Sequence, residues 1–456
     1  MTDSGSSRPT HVRWLIIGVL FMVTSLNYAD RATLSIVGTD LSKKFSLDSV
    51  TMGYLLSAFS WAYVAVQIPG GWLLDRLGSK RVYGWSIGFW SLFTLMQGMV
   101  FGQGPQLSIP TLFWAPIAVS GAFALLFGLR LLLGIAEAPA FPANSRIVAA
   151  WFPATERGTA AAIFNSAQYG GTVIFSPIMG AITHAWGWQP VFWFMGGIGL
   201  LFATAWSKLI HGPRQHPAAN EAEVDLIQRG GGLVDLDQAG PAAKSPARPG
   251  LLLDLLKNRM LLGIFFGQYC INVLTWFFLT WFPIYLVKDR GMSILKVGFV
   301  ATLPALCGFI GGVLGGWMSD QLIKHGRSLT VARKIPIVAG LLLSTSIVAC
   351  NYVEAQWAVI FFMSLSFFGK GIGALGWAVM ADVAPKEATG LAGGLFNTFG
   401  NLAGIFTPIV IGYILKSTGS FNGALVYVGA HALIAIVSFL VIVGEIKRFE
   451  LAPVAR

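Results

Sequence analysis

Long apolar runs, each closed by a short polar or basic stretch, follow one another along the whole chain. A bilayer-spanning helix needs about 20 apolar residues. A dozen runs of that order lie at 14–38, 51–74, 82–102, 115–141, 158–182, 188–207, 258–287, 294–319, 335–351, 355–381, 389–415 and 422–444. The pattern predicts an all-α membrane protein with twelve transmembrane helices in two pseudo-symmetric six-helix bundles. One stretch breaks the rhythm. Residues 208–257 are rich in Pro, Ala, Gly and charge, as in HGPRQHPAANEAEVD and QAGPAAKSPARPG, and read as a cytoplasmic linker. The chain thus divides into 1–207, 208–257 and 258–456, and within the linker EAEVDLIQR is expected to form a short surface helix without chemistry of its own.

The two halves repeat one another. GGWLLD at 70–75 returns as GGWMSD at 315–320, each at the end of the second span of its half. A pattern P-x4-G-x5-F-N-[ST] occurs at Pro153, Gly158, Phe164, Asn165 and Ser166, and recurs at Pro385, Gly390, Phe396, Asn397 and Thr398. Parallel duplication of a six-helix unit is a mark of secondary transporters, with the substrate site near the bilayer midplane between the halves.

Composition agrees with the pattern, since 55% of residues are hydrophobic and 11% charged, whereas soluble domains carry about a quarter charged. The net charge of +11 raises the question of a nucleic-acid partner, and the location of the charges answers it. Of the 31 Lys and Arg residues, 22 fall in segments assigned to the cytoplasm, six on the opposite side and three inside apolar runs. That asymmetry follows the positive-inside rule. An even number of spans puts both termini on the side of Arg76, Lys80, Arg81, Lys324, Arg327, Arg333, Lys334, Lys447 and Arg448, while the connections near 103–112 and 183–187, free of Lys and Arg, face outward. The first run is too long for a signal-peptide core and should be retained. Cys270, Cys307 and Cys350 lie in apolar segments without pairing or metal-ligand spacing, so neither metal nor cofactor is expected.

Five charged residues sit inside apolar runs: Asp30, Arg31, Arg130, Glu137 and Lys370. Each costs on the order of 2.5–3.5 kcal/mol at the bilayer centre unless it faces a cavity or a partner. Intramembrane ionisable groups mark substrate or proton pathways, the alternative being ion pairs that only fix packing. Arg130 and Glu137 share a helix face about 10 Å apart along the axis, so each must find its partner on another helix. Asp30 and Arg31 point about 100° apart, so one can face a cavity while the other faces a neighbouring helix. A guanidinium presents a fork suited to carboxylate and keeps its proton, which fits Arg31 and Arg130 to an anionic substrate. A carboxyl secluded from water can take up and release a proton near neutrality, which makes Asp30 and Glu137 the candidate proton carriers. Lys370, in FFGKGIGALGW, adds a positive charge from the second half and is read as the partner of a second substrate carboxylate, the alternative being a packing role.

Neutral polar residues within the spans point to a hydroxylated anion. Asn27, Tyr28, Tyr63, Gln67, Asn165 and Gln168 lie in the first half; Gln268, Tyr269, Asn272, Trp276, Trp377 and Asn397 lie in the second. Gln268, Asn272 and Trp276 recur at i, i+4 and i+8, one helix face. Any one of these can instead be interhelical hydrogen-bond glue. At the end of the second span stands Gly71-x3-Asp75-Arg76-x-Gly78-x-Lys80-Arg81, whose glycines permit close helix approach and whose charges can latch one conformation as a cytoplasmic gate. Its G-x3-D spacing returns at Gly316 and Asp320, where Gln321 replaces the basic residue.

With these motifs the chain resembles the major facilitator superfamily. NYADRATLS at 27–35, RLLLGIAEAPAFPANSRI at 130–147 and FNSAQY at 164–169 are similar to the anion:cation symporter family within it, and together with FGQYCINVLTWFFLTWFPIYL and GKGIGALGWAV look most like its bacterial importers of D-glucarate and D-galactarate. The resemblance implies the major facilitator fold, a bacterial inner-membrane location and proton-coupled import of a small sugar-acid anion, and the protein is expected to be a monomer. It further implies proton coupling at Asp30 and Glu137, a substrate and coupling region at Arg31 and Arg130, and a sugar-acid site lined by Tyr63, Gln168, Trp377 and Asn397. A sugar monocarboxylate such as galactonate or a hexuronate, or another organic anion, is the alternative cargo. Other classes fit less well. An ATP-driven pump would need a G-x4-G-K-[ST] loop, which the sequence lacks. An enzyme would need a nucleophile–base or metal constellation, a channel would not need the duplication, and an exporter of apolar cations would sit badly with three buried positive charges.

Overall fold

The computed structural model describes residues 8–109, 117–237, 251–385 and 388–450. The first half runs α1 (Val12–Ile36), α2 (Gly38–Lys44), α3 (Ser49–Leu77) and α4 (Ser79–Gln97), then β1 (Gln106–Ile109) antiparallel to β2 (Ile117–Ser120), then α5 (Gly121–Glu137), α6 (Ala140–Trp151), α7 (Arg157–Trp186) and α8 (Gln189–Leu209). The linker carries α9 (Glu221–Arg229). The second half holds α10 (Leu251–Lys257), α11 (Arg259–Thr280), α12 (Phe282–Lys288), α13 (Ile294–Val300), α14 (Thr302–Lys324), α15 (Leu329–Ser344), α16 (Gln356–Ile372), α17 (Gly376–Val383), α18 (Thr389–Thr418) and α19 (Asn422–Val437).

Among the described residues, ten helical segments are long and apolar enough to cross a membrane by length and composition. The chain is a multi-pass membrane protein. The third and fifth expected spans, α4 and α7, are helices of 19 and 30 residues outside that set of ten. Polarity explains both: α4 starts on Ser79, Lys80 and Arg81, and α7 carries Asn165, Ser166, Gln168 and Tyr169 toward the interior.

Helix starts follow local capping chemistry. Asp48 accepts from the Thr51 amide (2.8 Å) at α3, and Ser120, Asn258 and Ser328 do the same for α5, α11 and α15. The hairpin takes the first residues of the expected span 115–141, so its helix starts only at Gly121. Residues 110–112 of the expected outward connection and QAGPAAKSPARPG of the linker lie outside the described residues.

Four expected single spans are split, between α5 and α6, α11 and α12, α13 and α14, and α16 and α17. Pro139, Pro283 and Pro304 stand at or in the first turn of the second piece in three of them, where proline lacks no needed N–H. In the fourth, α16 ends at Ile372 and α17 starts at Gly376, so Lys370 and Trp377 flank a break. Lys370 occupies the last turn of α16, where the helix dipole favours a cation.

The halves meet through α1, α3 and α7 on one side and α11 to α14 with α18 on the other. Their contacts concentrate at the end away from the termini. Gly180 packs on Gly298, Lys416 pairs with Asp48 at 3.0 Å, and a Cβ on Gly53 would sit 2.5 Å from the Pro408 carbonyl. Burial pushes the Asp48 carboxyl up, but hydrogen bonds from Thr51 and the Lys416 ammonium outweigh it and leave the group below its usual range. At the termini-bearing end, the described ion pairs stay within one half or tie it to the linker.

The linker is more tightly held than its composition suggests. Glu223 of α9 is fully buried, not a surface residue. It accepts from Thr10 Oγ1 (2.5 Å), the amides of Val12 (3.1 Å) and Arg13 (3.2 Å), and Arg13 Nη1 (3.1 Å). Arg13 also pairs with Glu156 at 2.8 Å. Glu223→Ala is expected to lower stability by about 3 kcal/mol, the low end for one lost partner of a buried pair because Glu156 still holds Arg13. Thermal unfolding in detergent checks it; an unchanged midpoint would remove Glu223 as an anchor.

Candidate functional site

Close approach of α5 to α3 and α1 assembles the charged centre. A Cβ on Gly134 would collide with the Phe59 carbonyl and lie 3.1 Å from the Tyr63 amide, so glycine there lets the two backbones touch. One turn on, Glu137 reaches α1 and accepts from Arg31 Nε at 2.9 Å, both side chains buried. Tyr28, Phe59 and Tyr63 present their rings to the Arg31 guanidinium, with centroids 4.7, 4.7 and 4.9 Å away. Arg130, on the same face as Glu137, donates to the main-chain carbonyls of Asp30 (3.3 Å) and Arg31 (3.2 Å). The Asp30 carboxyl is buried, and its two oxygens accept no hydrogen bond among the described residues.

Beside this centre lies a cavity of about 270 Å³ between the halves. The first half lines it with Tyr28, Arg31, Tyr63, Phe141, Asn165 and Gln168, and the second with Gln268, Asn272, Thr275, Trp276, Lys370, Trp377, Asn397 and Asn401 among others. Arg31 gives one N–H to Glu137 and, with five such donors on a guanidinium, retains others for a guest. The Lys370 ammonium makes no hydrogen bond or ion pair among the described residues and lies 5.1 and 5.6 Å from the ring centroids of Phe367 and Tyr169. The amides are only partly satisfied by each other: Gln268 donates to Asn272 (3.3 Å), and Asn401 donates to the carbonyl (2.9 Å) and Oδ1 (3.2 Å) of Asn397. Trp377, half exposed, meets Phe396 edge-on at 4.9 Å. The group can hold an anion by charge at two walls and donate to and accept from hydroxyls between them.

Most of the sequence-predicted site residues line this cavity, and Tyr269, Arg130, Asp30 and Glu137 do not, Glu137 reaching it only through Arg31. Tyr269 turns away from the cavity, about 100° round the helix from Gln268, and stacks on Phe266 with Phe406 and His431 edge-on. Arg130 does not line the cavity either: its guanidinium donates to the α1 carbonyls. Asp30 likewise stays behind the wall. Asn401 was missed, although it stands four residues after Asn397 on the same helix face, a spacing that could have found it.

The gate motif finds its partners outside itself. Asp75 pairs with Arg146 of α6 (2.5 Å), and Arg146 also pairs with Asp237 of the linker (3.2 Å). Asp237 in turn accepts from the Ser79 amide (2.8 Å) and hydroxyl (3.1 Å) at the start of α4. Gly78 has φ +82°, the left-handed region that favours glycine. Gly71 has open space at its Cβ position, Arg76 lies over Trp72, Lys80 accepts from Trp206 through its carbonyl, and Arg81 is exposed. In the second half Asp320 is exposed, and it is Asp382 of α17 that forms an ion pair, with Arg333 at 2.8 Å.

The Major Facilitator Superfamily description matches residues 20–374 of the chain. The chain belongs to that superfamily. Members of this family are secondary transporters, not enzymes. Among curated relatives, "Probable galactarate/D-glucarate transporter GudP" of Escherichia coli (strain K12) is 61% identical over 454 residues, covering 99% of this chain and 98% of the relative. "Probable galactarate/D-glucarate transporter GarP" of the same organism is 56% identical, covering 99% of both. The inward-open xylose transporter XylE from E. coli superposes with a TM-score of 0.70 at 15% identity, covering 95% of this chain and 97% of that one. That likeness establishes the shared fold of this superfamily member.

Proposed function

We propose that the chain is a proton-coupled importer of hydroxylated dicarboxylate sugar acids, of the galactarate and D-glucarate type. In this reading it crosses the bacterial inner membrane twelve times as a monomer, α4 and α7 included, with both termini cytoplasmic and the bundles 1–207 and 258–456 rocking about the linker 208–257. The observation that carries it is a single cavity faced by Arg31 from one half and Lys370 from the other. A cation at each wall suits a molecule with a carboxylate at each end, and the amides between suit its hydroxyls. The printed names of relatives above half identity support the same cargo.

Coupling follows from competition for one guanidinium. Glu137 and an incoming carboxylate both seek Arg31. A proton on Glu137 removes its claim and frees the Arg31 fork for the substrate, so each ligand favours the other as linkage requires. Asp30, whose carboxyl accepts no hydrogen bond among the described residues and which is next to Arg31 in sequence, is the second proton carrier. Tyr63, Gln168, Gln268, Asn272, Trp377 and Asn397 orient the carbon chain. With the far end shut, the cavity in this state serves the cytoplasmic side.

Calorimetric titration of purified protein with galactarate, D-glucarate, galactonate and a hexuronate tests the reading. The diacids are expected to bind at least about 10-fold tighter, roughly 1.4 kcal/mol, and Lys370→Gln is expected to erase that difference. Equal affinity for mono- and dicarboxylates would sink the two-ended site.

A further inference from the structure

Lys370 has a neighbour that crosses between the halves. Of the two rings facing its ammonium, Phe367 stands one turn earlier on α16 and moves with it, whereas Tyr169 comes from α7 of the first half. Tyr169 follows Gln168, but only Gln168 also lines the large cavity. Both line a smaller space of about 40 Å³ together with Phe278, Phe282 and Phe367. The two spaces share Tyr28, Gln168, Thr275 and Leu279, and the Tyr169 ring, which lines the smaller space and faces the Lys370 ammonium of the larger, stands between them. Its seat is built for it. Tyr169 meets Phe309 and Phe367 edge-on, and a Cβ on Gly308 would lie 2.9 Å from Tyr169 Cε1 and 2.8 Å from Phe367 Cδ1.

From this geometry we infer that Tyr169 is the positioning residue for Lys370, holding its ammonium at the cavity wall while the far end is shut. The inference rests on the two-ended reading of the site. The ring face replaces part of the water that the buried ammonium lacks, a contact worth roughly a 10- to 30-fold change in an equilibrium when dry. Opening the far end parts α7 from α14 and α16 and removes one of the two faces. A diacid therefore meets Lys370 in its held position only in the closed arrangement, which joins recognition of the second carboxylate to closure behind it.

The test is transport in proteoliposomes with galactarate and galactonate, for wild type, Tyr169→Leu and Tyr169→Phe, each also in a Lys370→Gln background. Tyr169→Leu is expected to raise KM for galactarate about 10-fold, leaving kcat and the galactonate KM within about twofold. Tyr169→Phe, which keeps the ring, is expected to stay within about threefold. In the Lys370→Gln background Tyr169→Leu should add less than about twofold, as expected when one residue acts through the other. Gly308→Ala, which crowds the ring from behind, should reproduce the selective rise even where Tyr169→Leu folds poorly. Equal loss for both substrates, or an undiminished Tyr169→Leu effect without Lys370, overturns this inference alone. If Lys370→Gln leaves galactarate transport unchanged, the two-ended reading falls and takes the inference with it.

Discussion

Glu137→Gln is expected to abolish accumulation of substrate driven by a pH gradient, by about 100-fold or more, while exchange of substrate across the membrane continues. The reason lies in what Glu137 touches. Its carboxylate is fully buried, accepts from Arg31 Nε, and stands on the same α5 face as Arg130. Glutamine preserves the shape of the protonated form but carries no exchangeable charge, so Arg31 is permanently released for a guest. Binding should then persist or tighten while its dependence on pH fades. Uptake under an imposed gradient, set beside counterflow with equal pH on both sides, separates the two. Gradient-driven uptake within about threefold of wild type would take Glu137 out of the coupling step.

Arg31→Lys is expected to weaken substrate binding by roughly 30-fold or more, about 2 kcal/mol, the low end for disturbing one partner of a buried charge pair. Charge is retained, so the effect isolates geometry. An ammonium cannot present the planar fork that serves Glu137 and a guest at once. Nor does it stack as a flat group among Tyr28, Phe59 and Tyr63, whose ring centroids all lie within 5 Å of the guanidinium carbon. Arg31→Ala would be the poorer probe, since it leaves Glu137 buried without its partner and endangers the fold. Titration calorimetry on the lysine variant, with its melting curve as control, gives the answer. Wild-type affinity would mean that the fork is not used.

Much of the charged centre was legible because lipid makes an ionised side chain conspicuous. All five residues singled out from the apolar runs are buried, and Arg31 and Lys370 do share a cavity from opposite halves. Helical spacing also put Gln268, Asn272 and Trp276 on one lining face. Spacing says which residues share a face, but not what the face meets. Hence Arg130, two turns from Glu137, was expected to hold substrate and instead grips the α1 main chain. The linker was opaque for another reason. Its Pro, Gly and charge content describes a chain that makes no core, yet Glu223 and Asp237 each find a partner more than 90 residues away in sequence. Such anchors depend on tertiary placement and leave no local trace. The splits in four spans were partly readable from Pro139, Pro283 and Pro304, whereas the break after Lys370, at Gly371-Ile-Gly-Ala-Leu-Gly376, holds no proline.

Because Arg130 stitches α5 to the main chain of α1 at Asp30 and Arg31, the groups proposed to handle protons form one cassette bolted to a single bundle. The opposite wall, with Lys370, Trp377, Asn397 and Asn401, is given none of that duty in the proposed mechanism. On that proposal, cargo preference can be re-engineered, or drift over generations, on one face of the chamber while the energy-converting machinery stays intact.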